Sequence, residues 1–183
     1  KSQGSGTWEV IKIVIQALIL ALLVRTFLFQ PFSIPSGSME DTLLVGDFLF
    51  VSKYAYGYSR YSFPSSPDLF EGRFWASEPE RGDIIVFKYP QDEKRDFIKR
   101  IVGTPGDELQ IRGQQVFVNG QPIGESYARH SSTLPSHTGQ IPCGYAFGCE
   151  RLKVPADSFF VMGDNRDNSQ DSRYWGFLPR EYI

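Results

Sequence analysis

From Val10 to Phe29 the chain reads Val-Ile-Lys-Ile-Val-Ile-Gln-Ala-Leu-Ile-Leu-Ala-Leu-Leu-Val-Arg-Thr-Phe-Leu-Phe, almost without a polar break. A helix that crosses a bilayer needs about 20 such residues. Lys12 and Arg25 lie near the ends, where long side chains reach the interface. Trp8 and the group Phe27, Phe29, Phe32 would mark the two interfaces. The uncharged core, Ile13 to Val24, is also short enough for a cleavable secretory segment. An amphipathic helix lying on the surface fits less well, because Ala17–Leu23 is apolar on every face. The reading adopted is a retained membrane anchor over 10–29, after a polar tail over 1–9. Charge leaves its orientation open, since Arg25, Lys53 and Arg60 all lie at or beyond the far end.

Residues 30–183 read as one β-rich domain. Phe48–Val51, Ile84–Phe87, Phe97–Val102, Leu109–Ile111 and Phe159–Met162 are strand candidates. Asn119-Gly120, between Val116–Val118 and Gln121–Ile123, predicts a hairpin with a type I′ turn. Gly46-Asp47, Gly82-Asp83, Gly106-Asp107 and Gly163-Asp164 read as turns between strands. Two stretches, about 54–80 and 126–150, read as extended loops. The expected fold is mainly β, with twisted antiparallel sheets, barrel-like, behind one N-terminal transmembrane helix.

The net charge of −2, with Lys and Arg scattered, gives no footprint for nucleic acid. The two cysteines, Cys143 and Cys149, are either reduced core thiols or a disulfide; their Gly-bracketed loop favours the disulfide and an oxidising compartment. With His130 and His137 the only histidines, the spacing for a zinc site is missing, so no metal is expected.

Ser38 stands in Ile34-Pro35-Ser36-Gly37-Ser38-Met39, a few residues past the anchor. A hydroxyl held there by Pro and Gly suggests a nucleophile facing a membrane-bound substrate, but serine needs a base. Both histidines lie in a Ser/Pro/Gly-rich loop, where solvated residues are the ordinary reading, so a Ser-His-Asp arrangement is disfavoured. Lys99 is the alternative. Strand alternation puts Phe97, Lys99 and Ile101 on one face and Ile98, Arg100 and Val102 on the other. Each face carries one cation between apolar residues; snorkelling at a sheet edge would explain this, and so would a buried base. A lysine base near pH 7 must fall by roughly 4.6 kcal/mol from its ordinary pKa, which apolar burial can supply. Ser36 could share an oxyanion hole with the Ser38 amide. Gly163–Arg173 is dense in short polar side chains; it reads as an Asx-rich turn or as a polar brace, and lacks the spacing of a calcium loop.

Phe32–Asp47, Arg81–Tyr89, Asp96–Asp107 and Gly163–Gly176, in this order and spacing, resemble bacterial type I signal peptidase. The resemblance implies a membrane-bound serine endopeptidase without cofactor that cuts signal peptides from exported preproteins after small residues. It implies Ser38 as nucleophile, Lys99 as general base, Ser36 with Ser38 at the oxyanion hole, and Ser169 orienting the lysine. Asp164 with Arg100 would be an ion pair, and Asp171 and Arg173 further bracing. Ile34, Pro35, Met39, Leu43, Phe97 and Ile98 match one substrate pocket, and Phe32, Leu49 and Val86 a second. It further implies a monomer in the bacterial inner membrane, with the catalytic domain on the periplasmic side and Cys143–Cys149 oxidised there. Asp41 departs from the family pattern, which has Pro. Two other readings remain open: a relative dedicated to one pilin or conjugation protein, and an inactive membrane-tethered binding module.

Overall fold

The computed structural model describes residues 3–63, 72–75, 77–130 and 151–183. The expected disulfide between Cys143 and Cys149, and His137, lie outside the described residues.

Helix α1 runs over Gln3–Phe27, and its stretch Gly6–Phe27 is long and apolar enough to cross a membrane. It leaves its apolar side chains exposed, from Ile13 and Leu18 to Leu22. The helix ends two residues before the expected boundary. Proline disfavours helix at the residue before it, and Gln30-Pro31 follows closely. The last helical bond is Leu28 N to Val24 O, after which Phe29 pairs with Ser52. Phe29 therefore belongs to β1, not to the anchor. The helix also takes in Gln3 to Glu9, expected as tail.

The remainder of the described residues is mainly antiparallel β structure, as expected. Strands β1 (Phe29–Ser33) and β2 (Phe48–Ser52) form a ribbon, with Phe32 opposite Leu49. Strands β3 (Ile84–Tyr89), β4 (Asp92–Gly103), β9 (Ser158–Met162) and β10 (Leu178–Pro179) form a four-stranded sheet in the order β10-β9-β4-β3. Strands β5 (Glu108–Arg112), β6 (Gln115–Val118), β7 (Gln121–Pro122) and β8 (Leu152–Lys153) form another, in the order β7-β6-β5-β8.

The cores follow from side-chain alternation. On β9, Phe159 and Val161 join Ile85, Phe87, Ile101 and Leu178, whereas Phe160 and Met162 join Val102, Leu109, Val116, Val118 and Val154. A strand apolar on both faces must be covered on both. β9 and the end of β4 are thus fixed between two hydrophobic layers, a rigid base for the residues that follow Met162. At the β6–β7 turn, Asn119 (φ 53°) and Gly120 (φ 81°) both adopt the left-handed conformation that a type I′ turn requires.

Candidate active site

The Ser38 segment is clamped at both ends. Ile34 N donates to Asp47 O at 2.9 Å and Gly46 N to Ile34 O at 2.9 Å, joining the chain before Ser38 to the turn before β2. Ser36 is extended, at φ −139° and ψ 150°, and leads into a single 3-10 turn, Gly37–Met39. Met39 packs into the interior, and Ser38 beside it is also buried, at 8% exposed. The segment after β9 holds this turn from the other side. Asn165 N donates to Ser38 O at 3.1 Å, and Asn165 Nδ2 to Gly37 O at 3.0 Å.

Lys99 arrives from β4, opposite Ile85 on β3. It is 4% exposed, and its Nζ donates to Ser38 Oγ at 2.9 Å and to Ile98 O at 2.8 Å. Nζ also lies 5.1 Å from the centre of the Phe97 ring, which is itself stacked on Tyr89 with centroids 4.5 Å apart. Burial pushes Lys99 down from an ordinary 10.5 to about 8. The Asp171 carboxylate opposes that fall, the Arg173 guanidinium adds to it, and Asp164 opposes it. Desolvation disfavours the ammonium because a low-dielectric interior cannot replace its hydration.

A buried ionic frame surrounds the pair. Arg100 points from the opposite face of β4 and grips Asp164 with two bonds, Nε to Oδ1 at 2.8 Å and Nη2 to Oδ2 at 2.7 Å. Its third nitrogen, Nη1, donates to Gly82 O at 2.7 Å, and its guanidinium lies 4.0 Å from the Tyr127 ring centre. Thr42, four residues past Ser38, donates to Asp164 Oδ2 at 2.5 Å. Asp171 is fully buried; burial alone would raise its pKa, but the Arg173 guanidinium, at 2.8 Å to both oxygens, and the Gly163 N–H at 3.0 Å hold it below the usual range.

The sequence pattern predicts a turn at Gly163-Asp164 like those at the other Gly-Asp pairs. In Gly46-Asp47, Gly82-Asp83 and Gly106-Asp107, the aspartate accepts an N–H from three residues earlier, at 2.8–2.9 Å. Asp164 instead spans to Arg100 and Thr42, and Gly163 lies where two segments touch. A Cβ there would stand 2.2 Å from Ser169 Oγ and 2.5 Å from Ser38 O. Only a residue without a side chain lets the Ser38 and Ser169 segments pack this closely.

Ser169 is buried beside Gly163, and its hydroxyl lies toward Asp171, where it helps to hold that carboxylate down. The hydrogen bond to Lys99 implied by the family resemblance is not formed here. The Lys99 ammonium instead uses the Ile98 carbonyl, one residue back on its own strand. Asp41 pairs with Arg129 at 2.8 Å, and Arg129 also reaches Glu40 at 3.6 Å. The family departure thus forms an exposed ion pair rather than an isolated charge.

A cleft of about 510 Å³ opens onto Ser38 and Lys99. Ser36, Phe32, Ile34, Pro35, Met39, Phe97 and Ile98 line it, seven of the positions expected at the site or its pockets. Leu43, expected beside the serine, instead lines, with Leu49 and Val86, a larger cavity of about 860 Å³, which shares Phe32, Asp96 and Ile98 with the cleft. Arg95, Asn168 and Gln170 also face the cleft and were not anticipated. Neither was Asn165, whose signal in the sequence was only its place in an Asx-rich run. Among the described residues no His, Cys, Asp and Glu group could hold a metal ion, and His130 does not line the cleft.

Residues 7–183 match the family described as "Signal peptidase, peptidase S26". A protein named Signal peptidase I from Rickettsia prowazekii (strain Madrid E) is 39% identical over 190 residues, covering 90% of this chain and 72% of that protein. One of the same name from Rickettsia typhi (strain ATCC VR-144 / Wilmington) is 40% identical over 190 residues, covering 90% and 72%. The crystal structure of a signal peptidase I from Enterococcus faecalis V583 is 29% identical, covers 57% of this chain and 92% of its own, and gives a TM-score of 0.43.

Proposed function

This chain belongs to the signal peptidase family, peptidase S26, and we propose that it cleaves signal peptides from preproteins at a membrane surface with Ser38 as nucleophile and Lys99 as base. The observation that carries this reading is the 2.9 Å contact between Lys99 Nζ and Ser38 Oγ in a buried site. Neutral Lys99 accepts the Ser38 proton as Oγ attacks the scissile carbonyl. The ammonium so formed gives its proton to the leaving amine. A water molecule, deprotonated by the same amine, then hydrolyses the acyl-enzyme. The Ser36 hydroxyl, exposed at the same cleft, and the Ser38 N–H would stabilise the oxyanion.

The apolar walls around Ser38 suit small side chains. Phe97 is fixed by stacking on Tyr89, and Met39 and Ile34 are buried. A large residue next to the scissile bond would have to displace these groups. A membrane-embedded α1 places Ser38 close to the bilayer, where a signal peptide's cleavage site follows its own apolar segment. The domain boundaries that follow are an anchor over α1 and a catalytic domain beginning at Phe29.

The test is cleavage of a preprotein in detergent by wild type, Ser38→Ala and Lys99→Ala, with folding followed by circular dichroism. Both variants should fold and fail to cleave. Full activity in Lys99→Ala would exclude the lysine as base.

A further inference from the structure

The larger cavity adjoins the Ser38 cleft at Phe32, Asp96 and Ile98, and its far end opens between the last turn of α1 and the β1–β2 ribbon. Leu22 and Arg25 of α1 line it, with Phe50, Lys53 and Arg73. Its charge is one-sided. Lys88 is neutralised by Asp96 at 2.8 Å, but neither Arg25 nor Lys53 has a carboxylate partner among the described residues. Among the described residues Lys53 donates to the Ser62 carbonyl, and Arg73 donates Nη1 to the carbonyls of Tyr56 and Gly57 at 3.1 and 3.0 Å and Nη2 to Arg180 O at 3.3 Å and to Ile183 O. Carbonyls satisfy hydrogen bonds but do not cancel charge. Arg25 and Lys53 line the same cavity, and Lys53 is pushed down, first by burial and then by the charge of Arg25.

Cations that repel across a cavity are relieved by an anion between them. The place of the cavity says which anion. Arg25 is in the last turn of the membrane-length helix, Leu22 is 59% exposed one turn earlier, and Phe50 on the opposite wall is 75% exposed. An anion that fits has a charged head and apolar chains that continue along α1.

We infer that this cavity binds the phosphodiester headgroup of an anionic membrane lipid, held between Arg25 and Lys53. The bound lipid would tie the catalytic domain to its anchor and hold the cleft at a set height above the bilayer. The inference rests on α1 lying in a bilayer; it requires nothing of the Ser38 chemistry.

The test reconstitutes the full chain in phosphatidylcholine vesicles containing spin-labelled phosphatidylglycerol or spin-labelled phosphatidylcholine. The motionally restricted lipid is measured for each. Wild type should select the anionic lipid by up to roughly thirtyfold, the value two surface cations support. Arg25→Gln with Lys53→Gln should bring the selectivity close to one, while Lys53→Arg, which keeps the charge, and Lys88→Gln, which removes a paired one, should retain it. Unchanged selectivity in the double variant would overturn the site. So would displacement of the labelled lipid by excess inorganic phosphate, which would mark a site for a free anion. Failure of wild type to float with the vesicles would remove the anchor and the lipid site together. Intact preprotein cleavage in the same vesicles without lipid selectivity would overturn the lipid site alone.

Discussion

Lys99 Nζ lies 2.9 Å from Ser38 Oγ, although 61 positions separate them in the chain. Ser38 is placed by a turn clamped between β1, β2 and the segment after β9, and Lys99 by the buried end of β4. Neither side chain has to be ordered when substrate arrives, which is the preorganisation that nucleophilic catalysis needs.

A buried lysine costs stability. Its folded pKa of about 8 lies below the ordinary 10.5, so the unfolded chain binds the proton more tightly. The penalty, about 3 kcal/mol, is present in full below pH 8 and fades as pH rises to 10.5. Lys99→Met should therefore gain on wild type in urea unfolding at pH 7 by about 2–3 kcal/mol more than at pH 10. A difference independent of pH would mean that Lys99 is not desolvated.

Gly163→Ala should inactivate the enzyme. The added Cβ would meet Ser38 O at 2.5 Å as well as Ser169 Oγ at 2.2 Å, so removing the Ser169 hydroxyl does not make room. We expect a stability loss of about 1–3 kcal/mol and at least a hundredfold fall in kcat/KM. Gly163→Ala with Ser169→Ala should remain impaired in a preprotein cleavage assay.

Asp164→Ala leaves Arg100 buried without its carboxylate and Thr42 without its acceptor. Breaking one side of such a pair costs about 3–5 kcal/mol. Thermal unfolding should show that loss, and removing Arg100 as well, in Asp164→Leu with Arg100→Met, should recover part of it. A double variant as unstable as the sum of its singles would show that the two residues act independently.

Much of the scaffold was legible because local chemistry dictated it. Asn119-Gly120 has few alternatives to a type I′ turn, and the alternating apolar residues of β4 placed Lys99 and Arg100 on opposite faces. The short strands β8 and β10 were not legible, because two-residue strands carry no periodicity and exist only through their partners. The start of β1 was hidden inside the apolar run. The four-residue helix α2, Ser172–Trp175, was hidden inside the polar run, capped by Asp171, which accepts from Arg173 N at 3.2 Å. Ser38, Lys99 and Ser36 were candidates from the residues themselves, whereas the roles of Ser169, Asp164 and Arg100 and the pocket positions came from the family resemblance. What that left out, Gly163 as a contact point and Asn165 as a clamp on Ser38, depends on where distant segments meet, and no spacing encodes it.

Ser36→Ala should separate binding from catalysis. A hydroxyl that acts only on the oxyanion should lower kcat by about 10²–10³-fold and leave KM nearly unchanged. A rise in KM with kcat intact would place Ser36 in substrate binding instead.

The central claim is that neutral Lys99 is the base, and the pH dependence of kcat/KM tests it most directly. Below the pKa of the free enzyme's base, activity falls tenfold for each unit of pH. With a preprotein substrate, kcat/KM should rise with pH and level off above about 8, the value set by burial of Lys99. A plateau reached near pH 6, or an ordinary rise persisting in Lys99→Ala, would contradict it.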